Sequence, residues 1–228
     1  MLSWEWDEYP QSHELLENVR AGYENHVERV SRVIDLECRP DSQQPLAYRI
    51  GFAASLLLIR STHLLWGFFT VLNSGNPICA ALAAKSQMEA TGSMFYLYQE
   101  LLRYYEGQRE RQDDIIGKLS RTSTNDLVCV VDAWITSRGE ATAGKSFRET
   151  HQWLSAFYQP YQGAPTPGDD GALSLIIDTD IEDTFLASFV KGLAASASYI
   201  IHFFDAIAAL IQEHEHVYIL AEEPKMVL

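Results

Sequence analysis

Apolar residues recur at three- and four-residue intervals near the start of the chain: Leu15, Leu16, Val19, Tyr23, Val27, Val30, Val33 and Ile34. Glu and Arg fill the positions between them. That spacing draws one apolar stripe along a helix and predicts a helix over about Ser12 to Cys38, with Ser12 as N-cap. Pro40 and Pro45 bracket a break, because proline cannot continue the hydrogen-bond ladder. A second helix is predicted from about Leu46 to Leu72. It is apolar nearly all round and is therefore expected at the centre of the fold. Asn73 to Asn76 form a turn, and Pro77 suits the first position of a third helix reaching about Glu106. Short turns between long helices imply antiparallel packing.

The pattern weakens beyond that point. Gly107 to Ser120 is charged and reads as a helix end or connector. A short helix is predicted from Thr124 or Asn125 through Ile135, then a loop over Ser137 to Gly144, then a helix from Phe147 to Phe157. Gln162 to Gly171, rich in Gly and Pro, is a loop. Ala172 to Ile177 is β-prone and predicts a small extended arm. A last long helix runs from about Ile181 to His214, and Val217 to Leu228 reads as a loose tail. The fold class is all-α: one domain, residues 1–228, an antiparallel bundle of long helices with short helices and a small β arm near 172–177.

Composition narrows the picture. With 228 residues and 47 % hydrophobic side chains, the chain can bury a sizeable core. Lys and Arg number 17 against 31 Asp and Glu, for a net charge of -14. Such a surface disfavours nucleic acid and suits a basic partner. Cys38, Cys79 and Cys129 form no CxxC and are odd in number, which fits buried thiols in a reducing compartment. The acidic N-terminus has no signal-peptide pattern, so a cytoplasmic location is expected. Ile50 to Leu72 and Phe185 to Ile211 are long enough to span a bilayer. Arg60 and His63 interrupt the first; Lys191, His202 and Asp205 interrupt the second. Each central charge costs about 2.5–3.5 kcal/mol on insertion, so a soluble protein is expected and membrane partners are not.

The candidate chemistry lies in charge placed inside apolar helices. Arg60 and His63, Lys85 and Glu89, and His202 and Asp205 are pairs at helical i,i+3 or i,i+4 spacing. Buried charge requires a partner, so the expectation is that the three pairs meet as one polar cluster. Its acid–base groups would be Glu89, Asp205, His63 and His202. The bland alternative is three pairs at helix edges or a structural network. Arg148, His151 and Gln159 form a second candidate site, although a His on an aromatic-rich helix is more often structural. Glu213 and His216 make an E-x-x-H, but no second copy exists for a di-iron site; no metal and no cofactor are expected. There is no G-x-S-x-G and no phosphate-binding loop.

Two stretches carry a family resemblance. A-A-K-S-Q-M-E resembles an Arg-x-x-x-Glu step in uncharacterised bacterial helical proteins related to the HEPN (higher eukaryotes and prokaryotes nucleotide-binding) fold, with Lys85 in place of the Arg and Glu89 as the Glu. H-Q-W-L-S-A-F-Y-Q-P is similar to their later Leu-Ser element, matched by Leu154 and Ser155, with Gln159 where the family has His before Pro160. The resemblance spans about Gly51 to Leu210 and implies a helical bundle. Other HEPN branches cleave RNA with an Arg and a His four to six residues apart. Arg60–His63 and Arg148–His151 are separated by only two residues, so neither matches. The function expected is therefore non-enzymatic binding of a protein partner or small ligand, with a homodimer through an exposed apolar face as one form. A divergent HEPN-like ribonuclease, or a hydrolase using the polar cluster, is the rival.

Overall fold

The computed structural model describes residues 10–31, 46–74, 76–108, 114–139, 146–155 and 183–215. Among them are seven helices and no strand: α1 (His13–Ser31), α2 (Leu46–Asn73), α3 (Pro77–Tyr105), α4 (Ile115–Arg121), α5 (Thr124–Ser137), α6 (Phe147–Ser155) and α7 (Asp183–Glu215). The all-α class is established. The expected arm at 172–177, the tail at 217–228, residues 32–38 of the first predicted helix, and Gln159 all lie outside the described residues.

Four long helices form the frame. α1 packs on α2 and α7, α3 packs on α2 and α7, and α2 also meets α7 across the middle. The turn into α3 is built locally: the Asn76 side chain accepts from the Cys79 amide at 3.0 Å, and Pro77 supplies a fixed φ where no donor is needed. This turn reverses α2 into α3. By contrast, α7 runs parallel to α3, because Thr91 meets Ser196, Phe95 meets Phe203 and Tyr105 meets His214 in ascending order on both helices. The segment carrying α4, α5 and α6 is the crossover that permits this. α1 is also parallel to α7, since Gly22 meets Ala197 and Arg29 meets Asp205, and lies very close to it: a Cβ added at Gly22 would sit 2.8 Å from the Ala197 Cβ.

The short helices are not evenly spread. α5 and α6 pack against α3, α6 also reaches α7, and α4 touches α3 and α2. Leu127, Val128, Val131 and Ile135 of α5 are buried there. The enclosed helix is consequently α3. The expectation that α2 would be central is corrected: its inner face is core, but among the described residues no second layer covers its outer one, where Phe52, Leu56 and Trp66 are exposed. The charged stretch expected to be a helix end or connector contains α4. Its N-cap is Asp114, which accepts from the Gly117 amide at 2.9 Å, and Ile115 anchors it in the core.

Candidate functional site

The three predicted pairs do not converge. Lys85 and Glu89 bind each other at 2.6 Å on α3. Asp205 is held by Arg29 of α1, whose Nε lies 3.1 Å away. His202 is exposed, with its ring 5.8 Å from Trp134. Arg60 and His63 are exposed on the outer face of α2. Distance along the axis separates the α3 and α7 pairs. Phe203, beside His202 and Asp205, has its ring centroid 4.8 Å from that of Phe95, which lies six residues beyond Glu89, or about 9 Å at 1.5 Å per residue. Hydrogen-bonding reach between those pairs is excluded.

What does converge is one residue from each candidate site. His151, only 3 % exposed, places Nε2 3.2 Å from Glu89 Oε1, so Glu89 bridges Lys85 and His151. A capping box fixes α6 for this: Ser146 Oγ accepts from the Glu149 amide at 3.2 Å, and Glu149 Oε2 accepts from the Ser146 amide at 2.8 Å. The Arg148 amide donates to Asp132 of α5 at 3.1 Å, while the Arg148 side chain is exposed. Burial pushes the Glu89 carboxyl up. The hydrogen bonds and positive charges of His151 and Lys85 outweigh that and hold it at about 2. A carboxylate so stabilised and already bonded to two groups is a strap between α3 and α6. It is a poor general base.

A second network was missed by sequence reasoning. His26, Ser61 and Gln87, all fully buried, join α1, α2 and α3. His26 Nδ1 lies 2.7 Å from the Gly22 carbonyl, which can only accept, so Nδ1 carries the proton. Nε2 is then an acceptor, and the Ser61 hydroxyl donates to it at 2.7 Å. Gln87 Nε2 donates to Ser61 Oγ at 2.6 Å. Burial pushes His26 down to about 4, against the raising effect of its bond to Gly22. A serine facing an oriented imidazole is nucleophile geometry, but all three side chains are sealed from solvent, and the network serves to register three helices. The signal was present in the pattern: in α1 it is His26, between Tyr23 and Val30, that turns inward, and Val27 that is 44 % exposed.

The outer face of α2 is the remaining feature. Its buried side runs Ala47, Gly51, Ala54, Leu58, Ser61, Leu65, Phe68, Leu72, alternating steps of four and three. The opposite side repeats the alternation with Phe52, Leu56, Ile59, His63, Trp66 and Thr70. Phe52, Leu56 and Trp66 are 47 %, 51 % and 47 % exposed. Alternating four-three spacing is the signature of a seam that meets another helix. α2 therefore carries two seams, of which the described residues cover one.

Comparison with family models, with curated proteins and with solved structures finds no match.

Proposed function

We propose that the protein is a non-enzymatic helical bundle that binds a protein partner, and that the partner presents a helix to the outer seam of α2. The observation that carries this is the second heptad-spaced row on α2, with three large apolar side chains half exposed along it. The enzyme reading draws less support, since the charged pairs that would have supplied acid–base chemistry lie apart and Glu89 is committed to Lys85 and His151. Kinship with the HEPN bundles is compatible with this proposal and adds no residue to it.

A photo-cross-linking residue placed at Leu56, compared with one at the exposed Ala209 of α7, tests the proposal in the host cell. The expected result is a discrete adduct of constant mass from position 56 and none from 209, lost when Phe52 and Trp66 are changed to Ser. Equal labelling from both positions, or none from 56, overturns it.

A further inference from the structure

The outer seam of α2 differs from the chain as a whole in charge as well as in apolarity. The chain carries -14 overall, and α1 exposes Glu14, Glu24 and Glu28. Across its 28 residues α2 has no Asp and no Glu. Its exposed titratable groups are Arg60 and His63. In heptad terms Phe52, Ile59 and Trp66 take d positions, Leu56, His63 and Thr70 take a positions, and Arg60 falls at e. An e position is where a flanking charge selects its partner in helix pairing, and a polar a residue fixes register. We infer that the occupant of this seam is an acidic amphipathic helix: an apolar stripe flanked by carboxylates, with an acidic or amide side chain opposite His63. This inference rests on the binding role proposed above and names the chemistry of the partner.

Charge complementarity decides between this occupant and a second copy of the chain. In a two-fold symmetric pair the same patch meets itself, so the interface would hold the Arg60 of both copies with no carboxylate on either α2 to offset them. An acidic helix meets no such repulsion at α2. The exposed carboxylates of α1, Glu14, Glu24 and Glu28, repel it, so like charge disfavours that neighbouring face. The seam from Phe52 to Thr70 covers 18 residue steps, about 27 Å at 1.5 Å per residue, which matches a helix of three heptads.

The probes are two labelled 21-residue helical peptides with Leu at a and d, one carrying Glu and the other Lys at e and g, titrated against the intact protein by fluorescence anisotropy. The Glu peptide is expected to bind at least roughly fivefold more tightly at low salt, with the preference shrinking as salt rises. In Arg60→Glu the preference reverses, and Leu56→Ser weakens both peptides. Equal affinities, a preference for the Lys peptide, or an Arg60→Glu variant with unchanged preference overturns the inference. So does a dimer mass in light scattering that Leu56→Ser converts to monomer, or binding to phosphatidylserine vesicles that Leu56→Ser removes while neither peptide binds. A failed peptide preference beside a persistent adduct from position 56 overturns the acidic helix alone; loss of that adduct overturns the binding role itself.

Discussion

α2 and the Val190–Glu215 stretch of α7 are both long and apolar enough to cross a membrane by length and composition, yet they present different faces. Among the described residues the exposed positions of α7 are Ser198, His202, Ala209, Gln212, Glu213 and His214, small or polar. Of its large side chains, Leu193, Ile200, Phe203, Ile207 and Ile211 are buried, and Tyr199, Ile201 and Leu210 are half-buried against the core. α2 buries a row of the same quality and then sets Phe52, Leu56 and Trp66 outside. Averaged apolarity makes the two helices look alike; the direction of the large side chains makes one a core helix and the other a core helix with a face to spare. The cause is topological: α5 and α6 pack on the α3–α7 side of the bundle, and among the described residues α4 is the one short helix that touches α2.

The largest effect is expected where α7 is most enclosed. Phe203 is fully buried, with its ring 4.8 Å from Phe95 and 5.0 Å from Trp134, and Phe203→Ala should cost about 3–5 kcal/mol in urea unfolding. A loss under 1 kcal/mol would mean that α7 is not the core helix. Next comes pH. His26 titrates at about 4 in the fold against 6.5 when free, so as pH falls the unfolded chain takes the proton first. Stability present above pH 6.5 is therefore lost progressively down to pH 4, by about 3 kcal/mol in order of magnitude. In His26→Asn that part of the slope should vanish; an unchanged profile would show that His26 is not buried neutral. Glu89, at about 2 instead of 4.5, acts in the lower window from pH 4.5 to 2, so the two groups are separable.

Ser61 sits on the inner seam of α2 between His26 and Gln87. Ser61→Ala strips the acceptor on His26 and the donor on Gln87 of their partner, for a loss of about 1–3 kcal/mol. If that variant unfolds at the wild-type urea midpoint, the network contributes no more than an apolar contact would.

The sequence announced most of the frame. Asn76, Pro77 and the four-three rhythm placed the ends of α2 and α3 within a residue, because prolines and caps act locally. The Lys85–Glu89 pair was legible for the same reason, being one turn apart on one helix. Its third member was not, since His151 reaches Glu89 across 62 positions and no spacing rule spans a crossover. Arg60 and His63 were rightly paired to one face and wrongly turned inward: a helix apolar all round does not say which side its neighbours take. α4 was passed over because seven residues carry too little pattern against a charged background, although Asp114 and buried Ile115 mark it.

The central claim is that the outer seam of α2 serves a partner and not the fold of the chain that carries it. Leu56→Ser combined with Trp66→Ser tests this when urea unfolding and acidic-peptide binding are measured on the same sample. The account predicts a stability within about 1 kcal/mol of wild type, about 0.5 kcal/mol for each exposed substitution, together with loss of peptide binding. A drop of more than about 2 kcal/mol with binding intact would contradict it.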